Sequence, residues 1–76
     1  MYDLVDYLIG SFVEKDQYEL MMVEDGDKVE IKVLIDSDVI NTVIGKGGKI
    51  AKAIRTIVKG AGQKFEENYS IYIEER

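Results

Sequence analysis

A turn that contains three glycines and two lysines is the part of the sequence best suited to bind a ligand. Residues 45–49 read Gly-Lys-Gly-Gly-Lys, after apolar residues and before a segment with helical spacing. Glycine permits a positive φ and lets the backbone come close to another molecule. Unpaired N–H groups and the dipole at the start of a helix favour an anion, and lysines add positive charge. The turn therefore predicts a phosphate-binding site.

Two familiar nucleotide-binding motifs do not fit this turn. A Walker loop requires Ser or Thr after its Gly-Lys, and here isoleucine follows Gly48-Lys49. A dinucleotide fingerprint that starts at Gly45 and Gly47 would need a third glycine where the chain has Ile50. The predicted phosphate therefore does not belong to a nucleotide bound in either of these ways.

The composition excludes several kinds of chemistry. None of the 76 residues is cysteine or histidine, which excludes disulfides, the usual zinc sites, thiol nucleophiles and imidazole bases. Carboxylates are paired at positions 25 and 27 and at 36 and 38, where turns and helix caps are the simpler role. We expect no catalytic residue, no metal, no cofactor and no small-molecule substrate.

Charge is distributed unevenly along the chain, whose net charge is −5. Residues 1–38 carry three lysines and eleven acidic residues, whereas residues 39–76 carry seven basic and four acidic residues. Six basic residues and no acidic one lie between Gly45 and Lys64. Such a run is often only a solvated helix face. Because it begins at the predicted anion site, we expect it to attract a polyanion.

The N-terminal residues do not read as a secretion signal, since Asp3 and Asp6 interrupt the apolar positions and no basic region precedes them. No apolar run reaches the roughly 20 residues that a membrane-spanning helix needs. We expect one domain over residues 1–76, located in the cytoplasm and without a membrane partner.

Hydrophobic spacing predicts three helices and three strands. Apolar and polar residues alternate most strictly over residues 28–36, and the preceding Asp25-Gly26 turn predicts an antiparallel hairpin. Ser37 or Asp38 is predicted to cap a short helix. The predicted elements are helix 2–14, strand 18–24, strand 28–36, a short helix through 39–44, a helix from about 48 towards 65, and a strand that Asn68 starts and that continues through 69–74.

Residues 44–50, Ile-Gly-Lys-Gly-Gly-Lys-Ile, resemble the Ile-Gly-x-x-Gly-x-x-Ile core of the KH domain. In that family the Gly-x-x-Gly loop joins two helices and clamps the backbone of about four nucleotides. The alternative is a glycine-rich connection that binds no ligand. The extra helix and strand before the motif are the arrangement of type II KH domains. The resemblance implies an α+β fold of order α-β-β-α-α-β, with strand 28–36 central in a three-stranded mixed sheet and the helices on one face.

Within this family, the length and residues 45–59 are similar to small stand-alone bacterial RNA-binding proteins with one KH unit. This similarity implies self-association and pairing with a larger bacterial protein that carries a KH domain beside a second nucleic-acid-binding domain. It also implies post-transcriptional regulation and RNA chaperone activity linked to cell division, elongation and shape. Gly60-Ala61-Gly62 departs from many relatives, which continue with better helix formers, and leaves the end of the long helix open.

The resemblance implies single-stranded RNA as the ligand, with phosphates on backbone N–H groups, positive charge from the lysines and arginine, and bases in an adjacent apolar groove. A protein-interaction module that binds RNA only incidentally is the alternative, and the intact loop with its lysine favours RNA. The predicted RNA-binding residues are Gly45, Lys46, Gly47, Gly48, Lys49, Lys52 and Arg55.

Helical spacing also predicts a surface for self-association. Ile57 points roughly 70° away from the predicted core-facing side of the long helix, and Ala53 and Gly60 continue that flank. Either two copies bury this flank in a homodimer, or Ile57 packs at the margin of the core against the first helix. The family resemblance favours the dimer. The core-facing residues are predicted to be Ile50, Ile54, Val58, Ala61 and Phe65.

Overall fold

The strictly alternating segment forms the central strand of the sheet, as predicted. The computed structural model describes residues 1–64 and 67–76. Strand β2 (Lys28–Ile35) lies between β1 (Tyr18–Asp25), which is antiparallel to it, and β3 (Asn68–Glu75), which is parallel. Gly26 has a φ of 66° in the two-residue hairpin loop between Asp25 and Lys28, a conformation that glycine adopts readily.

Three helices complete the order α-β-β-α-α-β, which confirms the predicted fold class. They are α1 (Tyr2–Gly10), α2 (Ile40–Ile44) and α3 (Lys49–Lys64). Short 3-10 turns occupy Lys15–Gln17 and Lys46–Gly48. Within the described ranges, no helix is both long and apolar enough to span a membrane.

The first helix is shorter than the sequence predicts, because helix 2–14 ends at Gly10. The Ser11 hydroxyl donates a hydrogen bond to the Tyr7 carbonyl at 2.7 Å. Further on, the Glu14 N–H donates to the side-chain oxygen of Gln17 at 2.8 Å and starts a new turn. These local hydrogen bonds satisfy the Ser11 hydroxyl, the Glu14 N–H and the Gln17 side chain outside a continuous helix. Residues 11–14 therefore do not continue α1.

The predicted cap of α2 is also wrong. The first residue outside this helix is Val39, and neither Ser37 nor Asp38 makes a capping hydrogen bond with its side chain. Instead the N–H groups of Val39 and Ile40 donate to the carbonyl of Asp36, at 3.1 and 3.0 Å. A backbone carbonyl thus satisfies the donors that a side-chain cap would otherwise take.

The core lies between the helices and one face of the sheet. The alternating apolar residues of β2 are buried on this face, and each such side chain contributes about 1.5–3 kcal/mol. In β3, Ile71 lies on the same inner face, and the helices supply the opposite wall of the core. The fully or almost fully buried apolar residues include Val5, Ile9, Val29, Ile31, Val33, Ile35, Val43, Ile54, Val58 and Ile71.

The core-facing side of α3 differs from the predicted one. Its buried residues are Ala51, Ile54, Val58 and Gly62, whereas Ile50 and Ala61 are only half-buried. The predicted core position Phe65 lies outside the described residues. The small residues Ala51 and Gly62 lie on the side of α3 that faces the core. The predicted side consists mostly of large apolar residues, and it therefore leaves these two out.

Gly62 explains why glycine occurs within the last turns of α3. A Cβ at this position would lie 2.5 Å from Cδ2 of Tyr69 and 2.9 Å from the carbonyl oxygen of Glu67. At Gly60 a Cβ would meet no atom within 4 Å. The helix therefore needs glycine at 62, where β3 packs, but not at 60.

We expect opposite effects when each of these two glycines is replaced by alanine. Gly60→Ala should raise the free energy of unfolding by roughly 0.5–1 kcal/mol through helix propensity. Gly62→Ala should lower it by about 1–2 kcal/mol, because overpacking against Tyr69 exceeds the gain in propensity. Urea denaturation followed by circular dichroism measures both changes. Stabilisation by Gly62→Ala would contradict the described packing.

Tyr18 ties the first helix to the edge strand. Its side chain is buried, and its hydroxyl donates a 2.6 Å hydrogen bond to Oδ1 of Asp6. A Cβ on Gly10 would lie 3.2 Å from this hydroxyl, so the glycine leaves room for it. Burial of the ring and the hydrogen bond to Asp6 raise the pKa of Tyr18 from 10.0 to about 12.

This pKa predicts a loss of stability at high pH. A tyrosine whose pKa is higher in the folded state contributes stability that is complete below pH 10, the unfolded value, and is lost as pH rises through about 12. Wild type should therefore be more stable than Tyr18→Phe at neutral pH, and the difference should narrow above pH 10. Urea denaturation at several pH values measures it. A constant difference up to pH 12 would contradict the raised pKa.

Candidate nucleic-acid interface

The glycine loop (Gly45–Gly48) begins where α2 ends. The N–H of Gly45 donates to the Asn41 carbonyl at 2.9 Å, and Gly45 then adopts φ 77° and ψ 172°, a region that is essentially restricted to glycine. A Cβ at this residue would lie 2.6 Å from Cγ1 of Ile50. Gly45 therefore turns the chain while Ile50 packs directly against it.

The middle of the loop is open on its outer side. Gly47 and Gly48 have φ values of 66° and 78°, and a Cβ on either would meet no atom within 4 Å. The N–H groups of Gly48 and Lys49 donate to the carbonyls of Gly45 and Lys46 within the turn. Lys46 and Gly47 are the first two residues of this 3-10 turn, where the N–H groups have no acceptor within the turn itself. The loop thus presents the first N–H groups of a 3-10 turn beside the start of a 16-residue helix.

A basic ridge (Lys49, Lys52, Arg55 and Lys59) continues from the loop along α3. These residues are exposed, and their spacing of three, three and four places them on one side of the helix. The ion pairs present among residues 1–64 and 67–76 are those of Arg76 with Asp36 and with Glu19. The loop and ridge cations thus have no carboxylate partner in the described part of the protein.

The structure brings the predicted RNA-binding residues together. Gly45, Lys46, Gly47 and Gly48 form the loop, and Lys49, Lys52 and Arg55 are three of the four ridge residues. Ile44 and Ile50 are half-buried and flank the loop. They are the apolar residues beside the loop where the groove for bases is predicted.

The predicted RNA-binding residues leave out Lys59, the last residue of the ridge, although the basic run in the sequence contains it. Lys59 and Gln63, together with residues 67–69, line an open pocket of about 150 Å³. Lys59 lies four residues after Arg55 and four before Gln63. This spacing could have placed Lys59 on the same side of the helix as the predicted RNA-binding residues. Nothing in the sequence pattern shows that β3 meets it there, because that contact is tertiary.

The α3 strip (Ala53, Ile57 and Gly60) lies on another side of the same helix. All three residues are exposed, and the side chain of Ile57 is 46% exposed. At about 100° per residue, Ile57 points roughly 105° away from the mean direction of the buried residues. The strip is therefore separate from both the core and the ridge.

One glutamate from each strand lies on the face of the sheet that the helices leave uncovered. Because side chains alternate along each strand, Glu19, Glu30 and Glu74 share this outer face with Lys28 and Lys32. The ridge of α3 thus lies on the opposite side of the protein from these carboxylates. This separation lets the positive charge act locally although the net charge is −5.

Comparison with known proteins agrees with this architecture. The family model described as "KhpA/KhpB, KH domain" matches residues 2–73. Three similar relatives are each named "RNA-binding protein KhpA". The relative from Clostridium perfringens is 35% identical, and the match covers 97% of each chain. The relative from Oceanobacillus iheyensis is 33% identical, and the match covers 93% of each chain. The relative from Aquifex aeolicus is 32% identical, and the match covers 96% of this chain and 94% of the relative. The chain therefore belongs to the KhpA/KhpB family of KH-domain proteins.

Proposed function

We propose that this protein binds short single-stranded RNA, without catalysis, by clamping its backbone with the glycine loop. The observation that carries the proposal is the open turn between two helices, in which the N–H groups of Lys46 and Gly47 stand at the start of a 3-10 turn and have no acceptor within it. The basic ridge begins at the same turn. The names of the three relatives support RNA as the polyanion.

The loop and ridge divide the binding between them. Two phosphates meet the N–H groups of Lys46 and Gly47 and the positive end of the α3 dipole, and the ridge attracts the following phosphates. Bases turn towards Ile44 and Ile50 beside the loop. Unstacked bases are accessible only in single strands, whereas the deep, narrow major groove of an RNA duplex hides its base edges from side chains.

We also propose that two copies associate through the α3 strip. One KH unit contacts about four nucleotides, so a single copy binds with modest affinity, and joining two copies raises it. The exposed Ile57 between the small residues Ala53 and Gly60 supports close approach of two helices. The same strip is our proposed contact for a larger KH-containing partner. The roles in cell division and elongation implied by the family resemblance belong to this proposal.

A second candidate function is that of an adaptor that binds RNA only incidentally. It is favoured by the large exposed apolar side chains outside the loop, which include Ile57 on α3 and Met21, Val23 and Tyr72 on the outer face of the sheet. The two functions differ in what the loop contributes. When RNA binding at the loop is abolished, an adaptor still binds its protein partners, whereas an RNA clamp loses its principal ligand.

The dependence of RNA affinity on salt tests the clamp. Three or four phosphate contacts on a single strand predict a slope of log K against log salt of about −2 to −3. Fluorescence anisotropy with a labelled single-stranded octanucleotide at several salt concentrations measures this slope. A slope near zero would remove the electrostatic argument. A much steeper slope would contradict a footprint confined to the loop and ridge.

A further inference from the structure

The far pocket (Lys59, Gln63, Glu67, Asn68 and Tyr69) is a second recognition element on the same side of α3 as the basic ridge. Lys59 belongs to both the ridge and the pocket. Gln63 lies 14 residues after Lys49, which corresponds to roughly 20 Å along the helix axis. An RNA strand that leaves the glycine loop along the ridge therefore reaches this pocket after the clamped nucleotides.

Packing of α3 against β3 shapes the pocket. The edge of the Tyr69 ring lies against Gly62, where a Cβ would come within 2.5 Å of it. The backbone N–H of Glu67 donates to the Gly62 carbonyl at 2.9 Å and holds Glu67 beside the last turn of α3. Burial, followed by the nearby Glu67 carboxylate, raises the pKa of Tyr69. The Tyr69 ring and this carboxylate are thus neighbours in the pocket.

The size and lining of the pocket fit one base. Its volume of about 150 Å³ is well below the 300 Å³ or more of a usual small-molecule pocket. A carboxylate accepts a hydrogen bond from the amino group of cytosine, and side-chain amides pair with bases that present a donor beside an acceptor. Uracil presents a carbonyl where cytosine has the amino group, and this oxygen would face the carboxylate of Glu67.

We propose that the far pocket selects cytosine or adenine, the bases whose amino group lies beside an unprotonated ring nitrogen on the Watson–Crick edge, from the RNA that the glycine loop holds. Glu67 accepts the hydrogen bond of the exocyclic amino group. The amide of Gln63 donates a hydrogen bond to the neighbouring ring nitrogen, and the edge of Tyr69 forms the wall. Lys59 holds the phosphate beside this nucleotide. This inference rests on the proposed RNA clamp and adds base selectivity to it.

The test compares labelled single-stranded octamers of cytidine and uridine by fluorescence anisotropy. Wild type should bind the cytidine octamer about tenfold more tightly, as expected for one good polar base contact. Glu67→Gln keeps the shape of the side chain but gives it a donor as well as an acceptor. This variant should reduce the preference for cytidine to less than about threefold.

Glu74→Gln is the matched control, because it removes the same charge from the outer face of the sheet. Its preference for cytidine should equal that of wild type. If wild type binds both octamers equally, the base selectivity of the far pocket is wrong, but the RNA clamp is not affected. An unchanged preference for cytidine in Glu67→Gln would have the same meaning. Binding of neither octamer would overturn the clamp itself and the pocket with it.

Discussion

Replacing Lys46 and Gly47 together with aspartate should lower the affinity for single-stranded RNA at least about 100-fold. The change places two carboxylates where the loop is proposed to hold phosphates. Two charge-assisted hydrogen bonds are each worth about 1.5–3 kcal/mol, which together correspond to a loss of this size. Fluorescence anisotropy measures the affinity, and circular dichroism during thermal unfolding reports on the fold.

The fold should survive this double change. Gly47 has φ 66° and ψ 18°, a left-handed conformation that aspartate tolerates better than most residues, and Lys46 is exposed. The hairpin offers a matched control in Gly26→Asp with Lys28→Asp, because Gly26 also has a φ of 66° and an open outer side. Wild-type affinity in the folded loop variant, or an equal loss in the control, would contradict the clamp and favour an adaptor.

Ile57→Asp should convert a dimer into a folded monomer. A two-fold axis through the α3 strip would bring two aspartates together in an apolar contact, which costs several kcal/mol. Because Ile57 is 46% exposed, its replacement should leave the core intact. Light scattering measures the mass. RNA affinity should fall roughly tenfold or more with the loss of bivalency.

Met21→Asp provides the control for this change. Met21 is exposed to a similar extent, 45%, but lies on the outer face of the sheet opposite Lys32. It should leave both mass and RNA affinity unchanged. A wild type that is monomeric at high micromolar concentration would contradict the proposed dimer. Unfolding of Ile57→Asp would instead favour a place for Ile57 at the margin of the core.

The sheet was predictable because burial on one face produces an alternation of apolar and polar residues in the sequence. The alternation of β2 indicated both its conformation and its inward face, and the Asp25-Gly26 turn indicated its antiparallel partner. The end of α1 was not predictable from periodicity. Apolar spacing continues past Gly10, but Val13 reaches the core from a turn that local hydrogen bonds determine.

The loop was predictable for a similar reason, and the rest of the candidate site was not. Three glycines in four residues before a basic helix leave few structural alternatives to an open turn. The direction of α3 depends on the small residues Ala51 and Gly62, whose importance appears only when Tyr69 lies beside the helix. The far pocket likewise depends on the meeting of α3 with β3.

The central claim is that RNA binds at the glycine loop, and NMR titration of ¹⁵N-labelled protein with a single-stranded octanucleotide tests it most directly. The amide signals of Lys46, Gly47 and Lys49 should shift first and furthest, followed by those of the ridge residues Lys52 and Arg55. Unchanged loop amides would contradict the claim, whether the RNA shifts signals on the outer face of the sheet or shifts none.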